Sequence, residues 1–136
     1  MDAISQIMVE EGFVANTDFC HKPTVESGKK PDFIFPSQAA YDNKDFPAAK
    51  LRMLAAKTTC KDRWRQVINE ANRIPEKHLL TLQEGISDNQ FAEMQEEKVR
   101  LVVPSGLHSS YSDNVRPHLI SFESFIGDIR ILALTP

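Results

Sequence analysis

Short apolar runs that end on a proline or a lysine alternate along this chain with longer stretches of helical periodicity, and that alternation restricts the fold more than any other property of the sequence. Phe33, Ile34 and Phe35 are aromatic or β-branched and Pro36 closes the run, which predicts a short buried strand entered through Asp32. Leu51, Met53, Leu54, Ala55 and Ala56 form the next apolar run, ending at Lys57, and Thr58 or Thr59 can cap a following helix. From Cys60 onward Trp64, Val67, Ile68 and Ala71 recur at i, i+3, i+4 and i+7, a stripe that predicts a helix ending before Pro75, with Trp64 in the core. A third strand is expected over 78–82, an acidic helix capped by Ser87 through about Lys98, a fourth strand over 101–103 closed by Pro104, and a covering helix over 121–134. Residues 2–11 read as a short helix stopped by Gly12 and followed by an extended segment at Phe13, Val14 and Ala15. Residues 21–30 read as a loop, and 37–49, with Asp42, Asn43, Asp45 and Pro47, as a connection around a turn. The order strand, helix, strand, helix, strand predicts an α/β domain with a mixed or parallel sheet and helices packed over it.

A chain of 136 residues is one domain's worth, and 41% hydrophobic with 26% charged residues excludes wholesale disorder. No apolar run approaches the roughly 18 residues needed to span a bilayer, and the N-terminus has no basic region followed by an apolar one. A cytoplasmic protein with no membrane partner is expected. Cys20 and Cys60 have no CxxC partner and no nearby His pair, which argues against a zinc site and, in a reducing compartment, against a disulfide. The net charge of −3 speaks against a nucleic-acid binder, but it hides a split. Residues 50–78 carry eight basic and three acidic residues, 8 − 3 = +5, so the remainder sums to −8. Such a block is either a focused polyanion site or a solvated helix face.

Asp32 at the start of one strand, Lys57 at the end of the next and Glu70 on the following helix can be brought together by this layout. Phosphodiester hydrolysis uses such a set: carboxylate oxygens suit Mg²⁺, and an amine can orient the nucleophile or stabilise developing negative charge. Taken singly, each has a plain alternative: a turn-initiating Asp32, a strand-end Lys57, an exposed helical Glu70.

Their joint setting in KKPDFIFPS, LAAKTTCKDRWRQ and KHLLTLQEGIS resembles the catalytic domain of EcoRII-type restriction endonucleases, from about Lys29 to Val103 and less closely to the C-terminus. The resemblance implies the restriction-endonuclease-like PD-(D/E)XK fold, a central mixed sheet flanked by helices. The acid usually two residues before the lysine is replaced here by Ala55, and the resemblance implies that Glu70, twelve intervening residues after Lys57, supplies the carboxylate instead. Carried over, Asp32 and Glu70 would bind Mg²⁺, Lys57 would act beside the attacking water, and Lys61, Asp62 and Arg63 would read bases. Those side chains suit the role, since Lys and Arg can donate to guanine O6 and N7 and Asp can accept from cytosine N4. On the predicted helix Arg63 and Glu70, seven residues apart, share nearly one azimuth, about 10 Å apart along the axis, so one rigid element would hold both the reader and the metal ligand.

The resemblance further implies double-stranded DNA of the CC(A/T)GG kind as substrate, cleavage by a homodimer, and a cognate DNA methyltransferase as partner. Relatives flip out the central bases, and Tyr41, read as lying in a loop near the catalytic strand, is the aromatic candidate for contact with them. Family catalytic domains usually carry a longer helical region before this segment, and larger relatives an N-terminal effector domain. Residues 1–136 are therefore expected to be a single catalytic domain without either. The alternatives are a DNA-binding remnant that does not cut and a small α/β scaffold with no nucleic-acid role.

Overall fold

In the computed structural model, residues 3–14, 18–21, 32–57, 64–69, 71 and 73–134 are described. Among these residues five strands form one sheet in sequence order: β1 (Cys20–His21), β2 (Phe33–Phe35), β3 (Arg52–Lys57), β4 (Lys77–Thr81) and β5 (Val99–Val102). The first two pairings are antiparallel and the last two parallel, so the sheet is mixed. Each parallel crossover passes through a helix, α3 (Trp64–Val67) between β3 and β4 and α4 (Asp88–Glu96) between β4 and β5, as parallel strands require.

Period-two alternation along the strands feeds two cores. On one face Ile34, Met53, Ala55, Leu79 and Leu101 pack with Tyr41 of α2 (Gln38–Asp42), Trp64 and Val67 of α3, and Phe91 and Met94 of α4. On the other, Phe33, Phe35, Leu54 and Val102 pack with Met8 of α1 (Ala3–Glu10) and with Phe125, Ile126 and Ile129 of α5 (Phe122–Leu134). The sheet is thus buried on both sides, which explains why its strands read as apolar runs and not as alternating ones.

The expected helices at 2–11, 88–98 and 121–134 and the strands at 33–35, 51–57, 78–82 and 101–103 are all present within a few residues. Ser87 caps α4 as predicted, its side chain accepting from the Gln90 N–H. Trp64 is a core residue, 1% exposed.

Three expectations fail. Residues 37–49 are not a plain connection, because the Ser37 hydroxyl accepts from the Ala40 N–H and starts α2, and Ala48–Lys50 makes a further 3-10 turn. His21, read as loop, belongs to β1, a two-residue strand defined by its pairing with Phe33 and not by any local pattern; the rest of that loop, and Ala15, lie outside the described residues. The helix expected from Cys60 to Pro75 does not run unbroken. Its described part is the single turn Trp64–Val67, followed by a turn at Ile68 and Asn69, and Ala71 adopts a left-handed φ of 51° that no α-helix contains. Among the described residues no helix is long and apolar enough to cross a membrane.

Candidate active site at the ends of the parallel strands

Because β2 runs antiparallel to β3, the residue that enters β2 lies at the same end of the sheet as the residue that leaves β3. Phe33 pairs with Leu54, so Asp32 falls level with Ala55 and two positions short of Lys57. A hydrogen bond fixes this placement. The Ala56 N–H donates to Asp32 Oδ2 at 2.7 Å, across 24 residues of sequence. Alternation assigns Asp32 to the face of Ile34 and Lys57 to that of Met53 and Ala55, and Ile34, Met53 and Ala55 all belong to the core beneath α3. The pair therefore shares one face and one end of the sheet.

That end is formed by the C-termini of parallel strands, where ligand sites of α/β sheets collect. The cross-strand partner of Lys57 is Thr81, buried at the end of β4. Its hydroxyl accepts from the Gln83 N–H at 3.2 Å, and the Gln83 carbonyl accepts from the Tyr111 hydroxyl. This neighbour carries no motif signal, since its place beside Lys57 depends on the parallel register. Lys57 itself is half-buried, and its side chain has no hydrogen bond or ion pair among the described residues.

Of the other predicted site residues, Glu70, Lys61, Asp62 and Arg63 lie outside the described residues. The seven-residue relation between Arg63 and Glu70 required an unbroken helix, and the turn after Val67 removes that premise. Tyr41 is not in a loop. It sits on α2, 3% exposed, with its hydroxyl accepting from the Arg73 N–H at 3.3 Å and the Arg73 guanidinium 5.5 Å from its ring centre. A ring covered in this way is a core group in this structure and not an open platform for a base.

Mg²⁺ takes hard oxygen donors. Asp32 fits that chemistry: one carboxylate oxygen is oriented by a backbone amide and no cation neutralises it among the described residues. Asp32 is the described member of the predicted ligand pair, and no group of three or more His, Cys, Asp or Glu that could hold a metal occurs among the described residues.

The opposite end of the sheet has a different character. His78 is 5% exposed, its ring lies 5.0 Å from that of Phe125, and its Nε2 is 3.7 Å from Glu76 Oε1. Burial, reinforced by the positive charges of Arg100 and Arg52, pushes its pKa down to about 4, so the ring is neutral at pH 7.

The five-stranded mixed sheet with helices on both faces is a restriction-endonuclease-like fold. It superposes on solved structures of metal-depleted Ecl18kI in complex with uncleaved, modified DNA (TM-score 0.75, 23% identity) and with uncleaved DNA (TM-score 0.74, 26% identity). Each match covers 95% of this chain and 42% of the other. Within that class the chain belongs to the EcoRII C-terminal family, whose model matches residues 1–126. It is 49% identical over 126 residues to the type II restriction enzyme EcoRII of Escherichia coli, an alignment that covers 93% of this chain and 30% of that enzyme.

Proposed function

We propose that this chain is the catalytic domain of a type II restriction endonuclease of the PD-(D/E)XK kind, cutting double-stranded DNA in the cytoplasm with Mg²⁺ as cofactor. The observation that carries the reading is the Asp32 carboxylate tied to the Ala56 amide, one residue before Lys57, in a member of the EcoRII C-terminal family. The two DNA-bound Ecl18kI structures support the choice of DNA as the polyanion, and the +5 balance of residues 50–78 supplies the attraction.

Asp32 and Glu70 would hold the cation. Bound there, Mg²⁺ supplies charge stabilisation at the phosphate and a more acidic water. The Lys57 ammonium, set on the same face as Asp32, orients the water and stabilises the negative charge that develops on the phosphoryl oxygens. Lys61, Asp62 and Arg63, immediately ahead of α3, read G·C pairs of a CC(A/T)GG-like site. A homodimer would present two such sites to the two strands, and a cognate methyltransferase would protect host DNA.

The test is cleavage of duplexes with and without CC(A/T)GG across a Mg²⁺ titration. Site-dependent cutting that disappears in Lys57→Ala is expected. Tight binding without cutting at any Mg²⁺ concentration would replace this reading with a non-cleaving remnant, and failure to bind duplex even at low salt would remove the nucleic-acid role. A second variant probes the reader: Arg63→Ala should cost about 1–3 kcal/mol and relax the preference at one guanine.

A further inference from the structure

Among the described residues the exposed large apolar side chains are Ile7, Val9, Val14, Leu82 and Ile131. Four of them belong to α1, to the segment just after it, or to α5. Leu82 stands elsewhere: it is the first residue beyond β4, at the C-terminal end of the sheet, and is 59% exposed. Thr81 pairs with Lys57 in the parallel register. With strands about 4.8 Å apart and about 3.8 Å between successive Cα atoms, the Leu82 Cα therefore lies within about 9 Å of the Lys57 Cα.

A single exposed apolar side chain is ordinary on a protein surface. What sets Leu82 apart is its mounting. Thr81 before it is 1% exposed, and its hydroxyl accepts from the Gln83 N–H at 3.2 Å. Gln83 after it donates from Nε2 to the Gly85 carbonyl at 2.7 Å, and its own carbonyl accepts from the hydroxyl of Tyr111, a core residue. The same turn buries Ile86 against that core, so exposure is particular to Leu82 and not common to the segment. A duplex whose scissile phosphate reaches Lys57 passes within about three nucleotide steps of Leu82, at about 3.4 Å per step. Duplex DNA offers apolar groups to such a side chain, in thymine methyls and in base faces opened at a step. We propose that Leu82 is a DNA contact, presented by the pinned turn after β4 to apolar groups of the duplex beside the scissile phosphate. It would add to binding a contribution independent of phosphate neutralisation. This rests on the reading of the Asp32 and Lys57 end of the sheet as a nuclease site.

The experiment follows binding of a fluorescently labelled CC(A/T)GG duplex to the full chain by anisotropy, without divalent metal so that the DNA stays intact, over a series of salt concentrations. Wild type, Leu82→Ser and Leu82→Met are compared, with a thermal melt of each. Leu82→Ser should bind about tenfold more weakly at every salt concentration, with the wild-type slope of log K against log salt, because an apolar contact releases no counterions. Its melting temperature should match wild type, since the side chain is exposed in the free protein. Leu82→Met keeps the apolar volume and should bind within about twofold of wild type. Wild-type affinity in Leu82→Ser overturns the proposal, as does a loss that Leu82→Met shares in full or that comes with a shallower salt slope; each of these results leaves the nuclease reading standing. A wild type that binds no duplex even at low salt overturns both.

Discussion

The two ends of the sheet treat charge in opposite ways. At the N-terminal ends of β3, β4 and β5 the protein answers its own charges. Arg52 donates to the carbonyls of Ala49 and Leu51, both at 2.8 Å, Arg100 lies 3.9 Å from Glu76, and His78 is kept neutral by burial. At the C-terminal ends Asp32 is oriented by an amide that carries no charge, and the Lys57 ammonium has no ion pair or side-chain hydrogen bond among the described residues. Charges answered internally serve the fold. Charges that are held in place and meet no opposite charge among the described residues suit a charged ligand, and this difference supports the proposed site at the C-terminal ends.

The largest effect expected from breaking this contrast is on cleavage. Asp32→Asn retains an oxygen that can accept the Ala56 N–H, so the melting temperature should barely change, while cutting should fall by about 10²- to 10³-fold or more. Single-turnover rates on a CC(A/T)GG duplex, paired with thermal melts, check this; a large drop in melting temperature would move Asp32 to the structural side. Next comes His78. As pH falls below about 6.5 the unfolded chain takes up a proton that the folded chain refuses until about pH 4, so stability declines across that window, by about 3 kcal/mol in all. Urea titrations at pH 7 and near pH 4 should show the loss in wild type and a flatter profile in His78→Phe. The smallest effect is expected for Arg100→Ala. This half-exposed arginine and Glu76 form a surface pair that contributes under about 1 kcal/mol. Its removal should nevertheless raise the His78 pKa, which an NMR titration of the imidazole would register; an unshifted pKa would show that Arg100 does not contribute to it.

Much of this architecture was legible because it is written locally. β2, β3, β4 and β5 are apolar runs buried on both faces, and α4 begins at a serine whose cap bond the structure contains. What escaped depends on partners distant in sequence or on a competing local signal. The two residues of β1 are a strand only because Cys20 and His21 meet Ile34 and Phe33. α2 was hidden because Asp42, Asn43, Asp45 and Pro47 carry turn chemistry that outweighed the Ser37 cap. The early end of α3 was invisible because alanine favours helix and gives no warning of a left-handed backbone at position 71. At the candidate site, Asp32 and Lys57 were readable as a strand start and a strand end. Their meeting on one face is set by the β2–β3 register and the Ala56 amide, which no single stretch encodes. Tyr41 was misplaced for the same reason, since it packs in a core cluster with residues distant in sequence, among them Trp64 and Val67.

The most direct test of the C-terminal end of the sheet as a nuclease site is to incubate plasmid DNA with the purified chain and Mg²⁺ and sequence every end produced. Ends that fall at one fixed offset from CC(A/T)GG-like sites, and that vanish with Lys57→Ala, are predicted. Intact plasmid, or ends scattered without regard to sequence and unaffected by Lys57→Ala, would contradict the account.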